Sequence, residues 1–406
     1  HDCGRDRYLV PLATLNGSDA ELFEHEHASA AVARITGARK GLVFDGLFDD
    51  EVCEKLLGIL QESGELPMRR GRVIGTARQL PPGPEPLRPI VRALDHSNSS
   101  ILFDKRAIMK LFRRLETGPH PDIELSEFLA SRGFTRVPPA GGHLSYLRDG
   151  QEPTSLAMLH LYVYNQGNGW QVTIEELGRY FEQAATRPPL RPDAAADAGT
   201  GADRESPPAE VVEAIGAYLR LAEVLGRRTG ELHVELAEAA GDPAFTPEPY
   251  TADDLVGEAA TMQANAEKQL ALLEESLHRL DERRQELARS LLTRRDDLLR
   301  PFQDMRQLRD AGVRIRVHGD YHLGQVLVTE GDIMIMDFEG EPSRSLLERR
   351  AKSSPVRDVA GMLQSFAYAA LTGLGAATLT RPDDVGRLAR WAQLWENWDS
   401  RTILQA

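Results

Sequence analysis

The chain is poor in cysteine, in aromatic residues and in positive charge. It has 406 residues, of which two are cysteines (Cys3 and Cys53) and 6% are aromatic. Two cysteines cannot form a disulfide framework or a cysteine-rich zinc site, so we expect free thiols in a reducing compartment. Asp and Glu outnumber Lys and Arg by 62 to 48, which gives a net charge of −14. An acidic chain repels the phosphate backbone, and nucleic acid is therefore not an expected partner.

Long hydrophobic runs and a signal peptide are also missing. The sequence has no run of about 18 apolar residues, so we expect no membrane span and no membrane partner. Together with the free thiols, this predicts a cytoplasmic protein. Hydrophobic residues make up 41% of the chain and charged residues 27%, as in globular domains. At about 150 residues per domain, the length predicts roughly two to three compact units.

Hydrophobic periodicity and composition divide the chain into three regions. Residues 1–90 mix short strands with a helix that Asp49 is expected to cap, and they end in a proline-rich segment. Residues 91–164 contain strand-like apolar runs, and residues 165–406 are mainly helical. The patterns predict an α+β protein with strands at 7–12, 100–103, 107–112, 156–164, 313–317, 325–328 and 333–338, and helices at 49–60, 122–132, 171–186, 210–240, 355–372 and 383–400.

Three stretches of the helical region stand out. Residues 187–208 are rich in Pro, Ala, Asp, Gly and Ser, which predicts a mobile loop. Residues 255–299 are rich in Ala, Glu, Leu, Arg and Gln and are expected to end at Pro301. Their heptad order is loose, which favours a long helix or helical pair packed on its own domain over a coiled-coil partner helix. Tryptophans at 391, 395 and 398 have helical spacing, which favours burial in the core.

The most informative motif is residues 318–325 (HGDYHLGQ), followed by residues 336–342 (MDFEGEP). Asp320 lies in a loop after a predicted strand, Gln325 follows five residues later, and Asp337 ends a hairpin strand. The pattern suits phosphoryl transfer with Mg²⁺, in which Asp320 orients the attacking hydroxyl while Gln325 and Asp337 hold the metal. The alternative is two ordinary polar turns, and the complete constellation favours the phosphotransferase.

A phosphotransferase of this type also needs a lysine on a strand and a carboxylate on the next helix. Lys110 lies in the apolar run 107–112, and Glu124 lies at the start of the following helix. Taken alone, Lys110 is more typical of an outward-facing strand residue. The downstream motifs favour a functional role for it, and Lys105 in the preceding turn is a weaker competitor.

Other residues keep two interpretations. Ser97, Asn98 and Ser99 are expected in a turn that presents backbone amides to phosphate oxygens, with an ordinary polar turn as the alternative. Trp170 is in a turn-like segment, where packing is favoured over stacking on a sugar.

These motifs resemble the bacterial maltokinases, sugar kinases of the aminoglycoside-phosphotransferase-like, protein-kinase-like group. The resemblance covers the chain from about Arg5 to its end. The matching stretches are 96–101 (HSNSSI), 110–114 (KLFRR), 121–124 (PDIE), 318–325, 337–342, 354–362 (SPVRDVAGM) and 365–370 (SFAYAA).

The resemblance implies a bilobal protein-kinase-like (aminoglycoside phosphotransferase-like) fold with an N-terminal cap subdomain. The cap is expected at 1–90, incomplete at its start, and the small β-rich ATP-binding lobe with its hinge at 91–164. The helical large lobe is expected at 165–406. Family members have a further segment at each end, so we expect the chain to lack the end of its large lobe.

The resemblance also implies residue roles. Asp320 is expected as the catalytic base, with Gln325 and Asp337 as Mg²⁺ ligands. For ATP, the expected contacts are Lys110 on the α- and β-phosphates, Glu124 as its ion-pair partner, Ser97, Asn98 and Ser99 as the phosphate loop, and the backbone at Leu161 and Val163 on the adenine. His322, Glu341 and Arg344 flank the active loop and are expected either to bind sugar hydroxyls or to play structural roles.

The implied reaction converts ATP and maltose to ADP and maltose 1-phosphate, in a route from trehalose to α-glucan. Trehalose synthase is then an expected partner, fused or associated, which would fit a chain that begins at His1 without an initiator Met. The alternative acceptor is glucosamine or another sugar. An alternative of another class is a catalytically silent kinase-like scaffold, which would be free to lose some of the motif residues that this chain retains.

Overall fold

The computed structural model describes residues 6–38, 40–83, 85–94, 98–188, 190, 207–238, 241–379 and 381–406. Within this part of the chain, sheets and helices are mixed, as predicted for an α+β protein. The strands are β1 (Arg7–Tyr8), β2 (Leu12–Asn16), β3 (Ala31–Ile35), β4 (Gly41–Asp45), β5 (Glu65–Met68), β6 (Gly71–Ala77), β7 (Pro89–Leu94), β8 (Asn98–Phe103), β9 (Ala107–Phe112), β10 (Arg114–Leu115), β11 (Ala140–Leu147), β12 (Thr154–Leu161), β13 (Glu248–Pro249), β14 (Val313–Arg314), β15 (Val326–Val328) and β16 (Ile333–Ile335).

The α-helices are α1 (Ser18–Glu26), α2 (Asp50–Gln61), α3 (Pro121–Ser131), α4 (Gly169–Thr186), α5 (Ala209–Ile215), α6 (Tyr218–Ala237), α7 (Ala252–Ser276), α8 (Glu282–Thr293), α9 (Arg295–Met305), α10 (Leu346–Arg350), α11 (Val356–Thr378) and α12 (Val385–Gln405). The predicted helix at 210–240 is interrupted at Gly216, whose φ of +67° favours glycine. The predicted mobile loop at 187–208 lies largely outside the described residues.

A seven-stranded antiparallel sheet forms the small lobe. Its strand order is β5-β6-β11-β12-β9-β8-β7. Side chains alternate between the two faces of a strand, and one face buries Ile101, Met109 and Leu159 completely. This face is the apolar core of the lobe, and the strands that predict it from the sequence, β8, β9 and β12, lie side by side.

Helix α2 covers that core. Asp49 caps it as predicted, because its carboxylate accepts backbone N–H groups of the first turn. Leu57 and Leu60 point into the sheet core. The close approach requires a glycine in β6, since a Cβ on Gly75 would lie 1.9 Å from the Ile59 carbonyl oxygen.

The structure places the first boundary elsewhere than residue 90. β5 and β6 belong to the small-lobe sheet, because β6 pairs with β11. β1 pairs with β10. What remains of the expected cap is a three-stranded sheet, in the order β2-β4-β3, that packs on α1 through Leu42 and Phe44. Pairing between strands far apart in the sequence is invisible to local periodicity.

The large lobe is built around α11. Helices α4 and α12 pack against it. Trp391, Trp395 and Trp398 of α12 are buried, which confirms the core role that their spacing predicts. The Tyr180 hydroxyl donates to the Trp391 carbonyl at 2.8 Å, and the Tyr218 ring of α6 lies 5.0 Å from that of Trp395. Polar and aromatic contacts thus join α4, α6 and α12.

Helix α11 is long and apolar enough to cross a membrane by length and composition, with a mean hydropathy of 1.2. The core helix of a soluble protein has the same properties. α11 contacts α4 and α12 and carries the buried Asp358 and Phe366. These contacts assign it to the core of the lobe.

Residues Ala237–Val317 and Lys352–Pro355 form a second compact unit, which the prediction of one helical lobe at 165–406 did not separate. The long pattern at 255–299 is three helices, α7, α8 and α9. The break before α8 is made by Asp281, whose carboxylate caps that helix. Pro301, expected to end the pattern, lies inside α9.

The strands around the motif at residues 318–325 and 336–342 are shorter than predicted. The run at 313–317 contributes the two-residue strand β14, which pairs with β13, and a single bridge between Ile315 and Ser353. The runs at 325–328 and 333–338 form a hairpin of three residues each, β15 and β16. The motif residues therefore lie just outside the hairpin, in loops, where their side chains are not committed to a sheet face.

Asp399 of α12 is an acid buried in the large-lobe core. It is 0% exposed, and neither carboxylate oxygen has a hydrogen-bond partner among the described residues. Burial raises the pKa of Asp399 well above its usual range, because apolar surroundings disfavour the charged form. The contribution of Asp399 to stability is therefore greatest below the pKa of an unfolded aspartate, about 3.9, and is lost as pH rises through the raised folded value.

Asp399→Asn is expected to remove this pH dependence. The variant should resemble the wild type near pH 4, in free energy of unfolding, and exceed it at pH 7.5. The gain should grow by about 1.4 kcal/mol for each pH step of one between the unfolded and the folded pKa of Asp399. Urea unfolding at both pH values measures it, with the exposed Asp383→Asn as control. A difference between variant and wild type that is equal at the two pH values would contradict this account.

Candidate active site

The loop that carries Asp320 is held by backbone hydrogen bonds to one acid. The backbone N–H groups of His318 and Gly319 each donate to a carboxylate oxygen of Asp358 at 2.9 Å. Gly319 has a φ of +84°, a conformation that favours glycine. His233 Nε2 lies 3.0 Å from the same carboxylate. The loop, α6 and α11 thus meet at Asp358, which is 1% exposed.

The environment of Asp358 keeps it charged. Burial alone would raise its pKa, but hydrogen bonds from His233 and the backbone outweigh burial and lower it. The imidazole of His318 adds a second brace, since its Nε2 donates to the Met336 carbonyl at 3.0 Å. This bond fixes the loop relative to the segment that leads into Asp337.

Gln325 and Asp337 are brought together, as the motif predicts. Gln325 ends the short 3₁₀ turn Leu323–Gln325, and its carbonyl accepts the Met336 N–H at 2.9 Å. Its side chain lies close enough to the Asp337 carboxylate to help lower the pKa of that acid. Asp337 has a φ of +69°, an uncommon conformation for a residue other than glycine. The turn directs its carboxylate back towards the small lobe.

Lys110 of β9 reaches three carboxylates. Its Nζ contacts Asp337, and it lies 3.3 Å from Asp122 and 3.5 Å from Glu339. Burial disfavours its charge, but the three acids outweigh burial and raise the pKa of Lys110. Burial likewise works against a charged Asp337, and Lys110 lowers its pKa below the usual range. For Glu339 burial prevails over Lys110 and raises the pKa.

The expected ion pair between Lys110 and Glu124 is wrong. Glu124 instead binds Arg350 of α10 through two hydrogen bonds of 2.7 and 3.1 Å. Asp122, two residues earlier, faces Lys110 and accepts the Phe338 N–H at 3.0 Å. Residues two apart on a helix point in nearly opposite directions, so only one acid of the PDIE motif can face the lysine. The motif contains both acids, but the spacing alone does not show which one turns inward.

The expected phosphate loop is only partly described. Ser97 lies outside the described residues. Asn98 and Ser99 are not in a turn: they begin β8 and are buried. Asn98 Nδ2 donates to both oxygens of Glu339, and the Ser99 hydroxyl accepts from Arg113 Nε at 2.8 Å. Their side chains are thus committed to the protein, which leaves their role towards phosphate a prediction.

The hinge follows β12. The Leu161 N–H donates to the Pro139 carbonyl at 2.9 Å, so this amide is already used within the protein. Val163 lies just beyond the strand, and its carbonyl accepts from Asn165 Nδ2 at 2.8 Å. Nucleotide contacts at both residues stay predictions.

A cavity of about 670 Å³ lies beside Asp320. His322 lines it, as expected of a substrate residue. Trp170 lines it as well, so this aromatic ring is available to a ligand and not only to packing. Glu341 and Arg344 are not among its lining residues, and they bind each other at 3.0 Å. Arg357 and Tyr368 of α11 complete the wall opposite the loop.

The donor set fits a magnesium ion that is held mainly by phosphates and water. Gln325 and Asp337 supply an amide and a carboxylate, the oxygen ligands that Mg²⁺ prefers. The carboxylates around Lys110 outnumber its single positive charge, which leaves negative charge for a cation to balance. In the described part of the chain no group of three or more His, Cys, Asp or Glu forms a metal cage of its own.

Residues 161–340 match the model of a family described as "Phosphotransferase enzyme family". This segment carries the hinge, Asp320, Gln325 and Asp337. Two relatives are named glucosamine kinase. The protein from Mycolicibacterium smegmatis is 28% identical over 355 residues, which cover 84% of this chain and 73% of that protein. The protein from Streptacidiphilus jiangxiensis is 25% identical over 295 residues, which cover 72% of this chain and 56% of that protein.

Solved structures show the same fold. Crystal form A of a glucosamine kinase has a TM-score of 0.57 and 22% identity, covering 93% of this chain and 76% of that one. A glucosamine kinase in complex with glucosamine, ADP and inorganic phosphate has a TM-score of 0.54 and 22% identity, covering 78% and 68%. The protein-kinase-like fold predicted from the sequence is confirmed. The narrower resemblance to maltokinases is not supported by these relatives.

Because Asp122 and not Glu124 faces Lys110, we expect substitutions of these two acids of α3 to have unequal effects on stability. Asp122→Ala removes a buried partner of Lys110 and leaves the Phe338 N–H without its acceptor, so we expect a loss of about 2–4 kcal/mol in unfolding free energy. Glu124→Ala breaks a pair that is less buried, with side chains 15% and 28% exposed, and should cost less, about 1 kcal/mol. Urea unfolding of both variants measures this, and equal losses would contradict the assignment.

Proposed function

We propose that this protein is an ATP-dependent sugar kinase, in which the γ-phosphoryl group of ATP passes to a sugar hydroxyl held beside Asp320. One observation carries the proposal. Lys110, Gln325 and Asp337 meet at one point, while Asp320, on the loop next to them, faces a cavity large enough for a sugar. This arrangement has the parts that phosphoryl transfer requires: a phosphate-binding lysine, a metal-binding pair and a base at the acceptor.

Asp320 is suited to accept the proton of the attacking hydroxyl. Its side chain is 37% exposed, although the loop around it is fixed by Asp358 and His318. A base that is rigidly placed and open to the acceptor can orient a hydroxyl at hydrogen-bond distance. Arg357 donates to the Gly319 carbonyl at 3.3 Å and so supports the loop from the cavity side.

Lys110 is suited to bind the phosphates because its charge is maintained in a buried place. Its three carboxylate partners keep it protonated. A Mg²⁺ ion held by Gln325 and Asp337 would neutralise charge on the β- and γ-phosphates. Asp122 keeps the lysine and the Phe338 backbone aligned, so that the phosphate contact and the metal-binding turn stay in register.

Glucosamine is the first acceptor to propose, because the relatives at 28% and 25% identity are named glucosamine kinases. This sugar is the alternative to maltose that the motifs leave open. Negative charge in the cavity favours a cationic amino sugar, and Asp320 supplies such charge from a side chain that is 37% exposed and lies 3.9 Å from His322 Nε2. Asp358, the second acid of the wall, is engaged by the loop backbone.

Maltose is the second candidate. Two features favour it: the cavity holds about 670 Å³, and Trp170 and Tyr368 can stack on sugar rings. Maltose 1-phosphate formation, and with it an association with trehalose synthase, depends on this second candidate. The scaffold alternative is disfavoured because the motif residues are retained and also assembled around one site.

The acceptor is tested by coupled ADP release with ATP and Mg²⁺ against glucosamine, maltose, glucose, trehalose and an aminoglycoside. We expect turnover with glucosamine to exceed turnover with the neutral sugars. Greater turnover with maltose would transfer the assignment to a maltokinase. ATP binding without turnover on any sugar would support the scaffold instead.

Asp320→Asn is expected to lower kcat by about 100-fold or more, because the amide cannot accept the hydroxyl proton. ATP binding, measured by calorimetry, should stay near the wild-type value. His322→Gln serves as the matched control on the same loop, where we expect a change in acceptor KM instead. A kcat that is unchanged in Asp320→Asn would refute the mechanism.

A further inference from the structure

Asn98 and Glu339 connect the two lobes directly beside Lys110. Asn98 is the first residue of β8 in the small lobe, and Glu339 follows Asp337 in the large lobe. The Asn98 amide donates to the two carboxylate oxygens of Glu339 at 2.9 and 3.1 Å. The side chains are 8% and 9% exposed, so water does not compete freely for these bonds.

The backbone of Glu339 is fixed as well. Its carbonyl accepts from Arg349 Nη1 at 3.1 Å. Arg349 in turn binds Glu116 of the small lobe at 2.6 Å. Glu339 is therefore held through its carboxylate and through its carbonyl by groups linked to the small lobe. Because Glu339 is restrained at its carbonyl and at its carboxylate, the carboxylate has one position relative to Lys110.

The directions of the Glu339 and Asp337 carboxylates distinguish a residue that links the two lobes from a residue that can hold a metal. Both oxygens of Glu339 face Asn98, and one of them also lies 3.5 Å from Lys110 Nζ. The Asp337 carboxylate, by contrast, contacts Gln325 and Lys110, the groups of the metal and phosphate side. Glu339 is thus directed at β8 and at the lysine, and not at the Gln325 side chain.

We propose that Glu339, held by Asn98, is a positioning residue for the nucleotide. It keeps Lys110 of β9 beside the start of β8, where phosphates are expected, and it links this end of the small lobe to the turn that carries Asp337. The inference rests on the proposed function, since it concerns the ATP side of the same site. Asn98, Glu339 and Lys110 are not among the residues that line the acceptor cavity, so we expect sugar binding to be unaffected.

The hydrogen bond can be reversed without changing the charge of the pair. Asn98→Asp removes the donor and sets two carboxylates against each other. Glu339→Gln keeps the shape but removes the charge near Lys110. The double variant has one amide and one carboxylate again, with donor and acceptor exchanged, so it restores a charge-assisted bond between the lobes.

ATP and ADP binding is measured by calorimetry in EDTA, and KM for ATP and for the sugar by ADP release with Mg²⁺. We expect Asn98→Asp to weaken nucleotide binding by about tenfold, the loss typical of a charged hydrogen bond. The double variant should recover most of this loss. KM for the sugar should stay within about twofold in all three variants. Glu127→Gln, which breaks the small-lobe pair with Arg78, is the control for general loosening.

Each result of these measurements either supports or overturns the inference about Glu339. A folded double variant that binds nucleotide no better than Asn98→Asp overturns the inference, as do single variants with wild-type affinity. Equal losses for nucleotide and sugar would show a merely structural contact and overturn it too. If Asn98→Asp does not fold, Asn98→Ala replaces it in the comparison. A wild-type protein that binds no ATP or ADP would defeat the proposed function itself, which separates the two failures.

Discussion

The charge of Lys110 is the constraint on which the arrangement of the site depends. One ammonium group from β9 meets Asp122 from α3 and two acids, Asp337 and Glu339, from the turn after β16. Buried carboxylates without a partner are costly, so the acids of both lobes are stabilised by the same lysine. Because the acids outnumber it, the cluster keeps negative charge. It thereby favours a cation at the place where phosphates also need one.

A second acid organises the backbone independently of that cluster. Asp358 receives two N–H groups of the loop and the imidazole of His233, so it fixes the direction in which Asp320 points. The two systems meet through His318, whose ring bonds the carbonyl of Met336, next to Asp337. Hydrogen bonds thus hold the backbone of the site, whereas the side chain of Asp320 stays open to the cavity. A fixed backbone with an accessible carboxylate suits a base whose substrate binds and leaves in every cycle.

The sequence predicted the parts of the site that depend on short spacing. Asp320, Gln325 and Asp337 lie within one motif, so their order along the chain determines their proximity. Glu124 was the wrong partner for Lys110 because the direction of a helix side chain depends on where the helix docks. The same limit applies to larger features. The pairing of β6 with β11 and the second unit at Ala237–Val317 depend on contacts between distant segments, which periodicity cannot show.

The site for the phosphoryl donor and the site for the sugar differ in how strongly physical chemistry constrains their residues. Every ATP-dependent kinase must bind the same phosphates and metal, so charges are required at fixed positions and appear as a motif. A sugar can be held by stacking and by hydrogen bonds from many combinations of residues. Trp170, His322, Arg357 and Tyr368 come from three elements, and none of them has a spacing that predicts a cavity. Motifs of this kind therefore identify the phosphoryl donor more securely than the sugar, and relatives that share them can differ in acceptor.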